Sequence, residues 1–199
     1  MVKISAAVEG LVDEAVVRRL MTQVGAEAGP IYGREGKGRL RTRINGYNHA
    51  ARHSPWIVLV DLDHDVECAP ELCEAWVPHK SESLCFRVAI REVEAWLMAD
   101  RERLAAFLSV PLARVPLDPD AEDNPKQVII SIAARSRRKQ IVEDMVPRPG
   151  SSRSVGPAYT SRMIQFANET TNGWRPLVAA DRSNSLHRAI ECIRRLAES

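Results

Sequence analysis

Residues 56–65 read "WIVLVDLDHD", five apolar residues followed by acids at alternate positions, Asp61, Asp63 and Asp65. A strand with one face in water alternates apolar and polar residues. A strand that is apolar at every position is covered on both faces, as in a parallel sheet sandwiched between helices. Ligands of such sheets gather at the carboxyl ends of the strands. The stretch therefore predicts an α/β fold and places an acidic cluster where that fold keeps its sites.

The rest of the chain fits this frame. Residues 2–8, "VKISAAV", predict a first strand, closed by Glu9-Gly10. Apolar residues at 11, 12, 16, 17, 20, 21 and 24 have the spacing of an amphipathic helix. Asp13 and Glu14 in its first turn complement the helix dipole. Residues 29–33 are a short strand or a loop. Residues 34–43 are Gly-punctuated and basic, a loop whose far end turns helical, leading to the strand at 56–61. A short helix over 70–77, a strand over 84–90 and a long helix over 91–108 follow. Strand-helix alternation of this kind predicts a mainly parallel sheet flanked by helices. Beyond an acidic, Pro-rich linker at 116–126, helices are expected over 125–145, 159–168 and 182–197, with a mobile spacer at 146–157. Residues 1–110 thus read as an α/β domain, and 111–199 as a helical extension packed on it.

Composition sets limits. The 199 residues are 45% hydrophobic and carry a net charge of +2, so nucleic-acid affinity has to come from local patches. The opening "MVKISAAVEG" is too quickly charged for a secretory signal, and no apolar run approaches membrane-spanning length. A cytoplasmic protein with no membrane contact is expected. Cysteines at 68, 73, 85 and 192 lack zinc-finger spacing and read as reduced structural thiols.

Glu9 ends the first strand as Asp61 ends the third, and Asp63 lies two residues further on. If the strands are neighbours, three carboxylates crowd one sheet edge. That crowding is unfavourable without a cation. Oxygen-only donors suit Mg²⁺ or Mn²⁺, which can hold a phosphate oxygen and activate water. The plainer alternative is a solvated turn whose Asp caps the next helix.

"AAVEGLVDEAVV" (6–17) and "IVLVDLDHD" (57–65) resemble the TOPRIM domain of topoisomerases, bacterial primases and related nucleases, over about the first 110 residues. The resemblance implies a TOPRIM-like fold, with Glu9 as general acid/base and metal ligand, and Asp61 and Asp63 as metal ligands. Asp65 is a further candidate ligand or a helix cap. "IREVEAWLMAD" (90–100), with Pro125-Lys126 downstream, is similar to an uncharacterised bacterial TOPRIM-like group, domain of unknown function 4276. That group is related to the TOPRIM part of overcoming-lysogenization-defect nucleases. This resemblance implies a partner ATPase and a role in phage defence. It adds Lys126 to the phosphate contacts. Glu92 and Glu94 fall in the first turn of a helix leaving a strand end, where Glu94 extends the acidic site as a metal ligand; Glu92 reads as a dipole complement or as a further member of that site. The chain itself carries no P-loop: "GREGKGR" (33–39) has the wrong spacing.

Lys37 and Arg39, in the Gly-rich basic stretch, are candidate phosphate contacts for DNA or RNA. "RSRRK" (135–139) is a weaker one. His64, between two of the acids, is a candidate ligand. The leading expectation is a Mg²⁺-dependent nuclease, with a homodimer an allowed assembly. One alternative is a non-catalytic TOPRIM-like subunit of an ATPase. The other is a haloacid-dehalogenase-type phosphatase, which "DLDHD" superficially resembles.

Overall fold

The computed structural model of the protein describes residues 1–63 and 68–198. Strands β1 (Lys3–Val8), β2 (Glu27–Gly33), β3 (Trp56–Asp61) and β4 (Leu84–Ala89) form one sheet. All pairings are parallel, in the order β2-β1-β3-β4. Helices α1 (Leu11–Gln23), α2 (Lys37–Ala50) and α3 (Ala69–Trp76) fill the connections. The α/β class read from 56–61 is the class observed.

Alternate residues of each strand serve opposite layers. Ile57 and Leu59 join Ile4, Ala6, Val8 and Cys85 in one apolar layer with α1. Val58 and Val60 join Ala7, Phe86 and Val88 in a second, closed by Leu40 and Ile44 of α2 and by Leu72 and Trp76 of α3. Both faces are covered, which is why β3 can be apolar throughout.

The remaining helices are α4 (Val93–Met98), α5 (Arg101–Leu108), α6 (Pro125–Ala133), α7 (Lys139–Met145), α8 (Tyr159–Asn168), α9 (Pro176–Ala180) and α10 (Asn184–Glu198). Their Ile129, Ile141, Met163, Phe166 and Ile193 enter the first layer beside Val16 and Leu20 of α1. The extension and the sheet thus share one core. Trp96 sits at its centre: its indole Nε1 donates to Ser185 Oγ at 2.7 Å, and its carbonyl accepts Trp174 Nε1 at 3.0 Å. No described helix is long and apolar enough to cross a membrane.

Several boundaries differ from the sequence reading. The helix expected over 91–108 is two helices, because Asp100 leaves helical geometry and accepts the N–H of Arg103 as the cap of α5. The helix expected over 125–145 also divides. Ser136 bonds Leu108 O and takes the N–H of Arg138, turning the chain between α6 and α7. The basic stretch is not a loop: Gly36, at φ 85°, opens α2 directly, so Lys37 and Arg39 lie in a helical first turn. The spacer at 146–157 is tied down, its Gly156 N–H donating to Met145 O and the Ala158 N–H to Asp144 O. Helix α9 has no counterpart in the sequence reading.

In the order β2-β1-β3-β4, the chain leaves β1 in one direction and β3 in the other. That reversal opens a crevice beyond the carboxyl ends of β1 and β3.

Candidate acidic site at the carboxyl edge of the sheet

Glu9 and Asp61 stand at the ends of the two strands that flank the reversal. The Asp61 N–H donates to Glu9 Oε1 at 2.9 Å, so the Glu9 side chain spans the crevice. Asp61 Oδ1 accepts the N–H of Val93 at 2.9 Å and so positions the start of α4. That helix carries Glu94, only 2% exposed, inward. Tyr159 of α8 donates its hydroxyl to Glu94 Oε1 at 3.3 Å.

A fourth acid joins them. Asp13 is 6% exposed, and its buried Oδ1 has no hydrogen-bond partner. A Cβ at position 10 would lie 3.1 Å from Asp13 Oδ2, so Gly10 leaves the room in which that carboxyl folds back. Asp13, Asp61 and Glu94 line a cavity of about 400 Å³, closed on the far side by Lys126, Ser154 and Tyr159. The extension therefore supplies one wall of the site.

Lys126 is the counter-cation. Its Nζ lies 2.7 Å from Glu92 Oε1 and 3.6 Å from Glu94 Oε1, and its backbone N–H donates to Glu92 Oε2 at 2.9 Å. Burial opposes its charge, but Glu94 and Glu92 outweigh that and hold the ammonium above its ordinary range. Glu92, read from sequence as a dipole complement, is instead the main clasp of this lysine.

The carboxylates are pushed the other way. Burial raises Glu9 to about 7, with Asp13 and Asp63 adding repulsion. Burial also raises Asp13 to about 6 and Glu94 to about 7, the latter although Lys126 pulls it down. Asp61 stands well above the ordinary carboxylate range, through burial and then through Asp13, Glu94 and Glu9.

These shifts set an expected result. Each group binds its proton more tightly in the folded chain than in the unfolded one. Their contribution to stability is therefore fully present at and below the ordinary carboxylate range and is lost as pH rises toward about 7. Each tenfold gain in proton affinity on folding is worth at most about 1.4 kcal/mol. Lys126 stays charged throughout this window. In a metal-free buffer the melting temperature should drop by several degrees between about pH 5 and about pH 8. Asp13→Asn should flatten the drop. A profile that stays level or rises, measured by scanning calorimetry, would refute the crowded buried anions.

The other expected residues are distributed around this centre. Asp63 has a left-handed backbone, φ 51°, and a side chain 43% exposed. Its Oδ2 pairs with Lys37 Nζ at 3.0 Å, and Lys37 also donates to Leu62 O at 3.2 Å. Lys37, a candidate phosphate contact on a basic stretch, is largely buried, its side chain 16% exposed. Arg39 is exposed and donates to Glu35 Oε2 at 3.1 Å along its own helix. Asp65 and His64 lie outside the described residues. Sequence reasoning missed Asp13, Tyr159 and Ser154.

Among the described residues, no three His, Cys, Asp or Glu side chains are arranged to hold a metal ion as they stand. The reason is visible in the bonds: Glu9 and Asp61 each spend an oxygen on a backbone N–H, and Glu94 faces Tyr159 and Lys126. The donor set is nevertheless all oxygen, and Asp13 Oδ1 lacks a partner, a chemistry that fits a hard divalent cation. Compared with known proteins, the chain matches no family model, no curated protein and no solved structure.

Proposed function

We propose that the protein is a TOPRIM-like, Mg²⁺- or Mn²⁺-dependent enzyme that cleaves phosphodiester bonds of DNA or RNA. The observation that carries this reading is the gathering of Glu9, Asp13, Asp61 and Glu94 at the β1/β3 crevice, with one buried carboxylate oxygen unpartnered. Asp13, Asp61, Glu94 and Glu9 would hold the cation, with Asp63 at the rim. A bound divalent ion would supply Lewis-acid polarisation of a phosphate oxygen and an acidified water. Glu9 would take or return a proton at the reacting oxygen. Lys126 balances the charge of Glu92 and Glu94, and Tyr159 fixes the Glu94 carboxyl. Lys37 and Arg39, in the first turn of α2 and next to the crevice, would meet the nucleic-acid backbone where the helix dipole also favours anions. In this reading the enzyme works in the cytoplasm, beside a partner ATPase in a phage-defence module.

One observation favours a second reading. The oxygens of Glu9 and Asp61 already serve N–H groups, which suits a TOPRIM-like subunit that acts through its ATPase without cleaving.

The deciding experiment incubates the purified chain with single- and double-stranded DNA and RNA, with EDTA, Mg²⁺ or Mn²⁺. Cleavage restored by metal after EDTA is the expected result. Hydrolysis of phosphomonoesters alone would favour the phosphatase reading. No cleavage, with no calorimetric Mn²⁺ binding, would overturn the enzyme, and a stable complex with an ATPase would then support the second reading.

A further inference from the structure

A separate cluster lies at the far edge of the sheet. β4 is an edge strand, and α10 packs on it. Residues two apart on a strand share a face, so Cys85 and Arg87 both look toward α10. Cys192, in the body of α10, meets them there. Cys85 and Cys192 share one buried cluster and lie close enough to influence each other's charge, and the Arg87 guanidinium stands beside both. Cys85 is fully buried, whereas Cys192, 9% exposed, lines a hollow of about 840 Å³ with Arg87, Lys80 and Arg195. Arg87 Nε is itself buried without a hydrogen-bond partner. None of these groups touches the acidic site.

We propose that Cys192 and Cys85 form a peroxide-reactive pair, Cys192 being the thiol attacked from the hollow and Cys85 the resolving thiol, so that oxidation bonds α10 to β4. The substrate class is a small hydroperoxide. The Cys192 thiolate attacks one peroxide oxygen, the O–O bond breaks, and hydroxide leaves and takes up a proton. Cys192 is then a sulfenic acid, two electrons more oxidised. Cys85 gives up its proton and attacks the Cys192 sulfur; the S–O bond breaks, water leaves and the S–S bond forms. In sum, two thiols and one hydrogen peroxide give one disulfide and two waters.

The surroundings divide these roles. The neighbouring Cys85 thiol and then Arg87 bring Cys192 down to about 5 against its burial, which favours the thiolate. Burial keeps Cys85 a thiol until the second step. Cys73 also lines the hollow, but burial raises it, and Cys68 is exposed and does not line the hollow. Cys68 and Cys73, the two cysteines nearest in sequence, are therefore not the reactive pair.

The full chain treated with equimolar hydrogen peroxide, blocked with a thiol reagent and digested without reductant tests this. The expected product is a Cys85–Cys192 linked peptide, with Cys68 and Cys73 still carrying the reagent. Cys85→Ser should stop at a sulfenic acid on Cys192 that dimedone traps, and Cys192→Ser should leave Cys85 reduced. Oxidation of Cys68 or Cys73 ahead of Cys192, or a Cys192 that stays reduced in the wild-type chain, would overturn the proposal. That last measurement does not depend on either variant folding.

Discussion

An Asp61→Asn protein should fold, resist heat at neutral pH at least as well as the parent, and lose nearly all metal-dependent cleavage. The amide oxygen of Asn can still accept the Val93 N–H, so the start of α4 keeps its support. What disappears is one of several mutually repelling anions, and the relief should hold or raise stability. Lewis-acid stabilisation is worth several kcal/mol, so at about 1.4 kcal/mol per tenfold the rate should fall about a thousandfold or more. Mn²⁺ affinity, read by calorimetry, should fall with it. Asp63→Asn should do much less, because that side chain is largely exposed and already paired with Lys37. Activity within tenfold of the parent at Asp61→Asn would take this residue out of the proposed machinery.

Trp96→Ala should be the most damaging single change to stability. The indole is fully buried, donates to Ser185 at the start of α10, and packs where α4 meets the extension. Truncation leaves a cavity and removes the indole's bond to Ser185, at a cost of roughly 3–5 kcal/mol. Urea unfolding should show a large drop in midpoint, and Trp96→Phe should recover part of it. A loss below about 1 kcal/mol would mean that the extension is held by something other than this core.

The sheet was legible because its strands are covered on both sides: β3 is an unbroken apolar run up to Asp61, and β1 and β4 are mostly apolar, interrupted by Lys3, Ser5 and Arg87. Asp13 was not, because an acid in a first turn has an ordinary dipole explanation. A stronger signal lay in its spacing. Val17 and Leu20, four and seven residues on, are fully buried, so Asp13 occupies a core-facing position. The glycines around Lys37 suggested a loop because Gly is a poor helix former, yet Gly36 supplies the positive φ from which α2 starts. The break at Asp100 was readable as a helix cap inside an otherwise helical pattern. Tyr159 could not be found from local pattern, since it reaches Glu94 only through the docking of α8 on α1, and Ser154 joins the pocket lining from the segment before α8.

That docking gives the site a birth order. Synthesis delivers Glu9, Asp13, Asp61 and Glu94 long before Tyr159 emerges from the ribosome. A nascent sheet would carry its anions open to water, where each ionises readily and none is desolvated. The far wall of the pocket comes from Tyr159 of α8, which packs on α1, so the enclosure would be complete only once that packing is made. A half-made chain would thus hold the acids without the enclosure, and competence would arrive with the last helices rather than with the residues named for the chemistry.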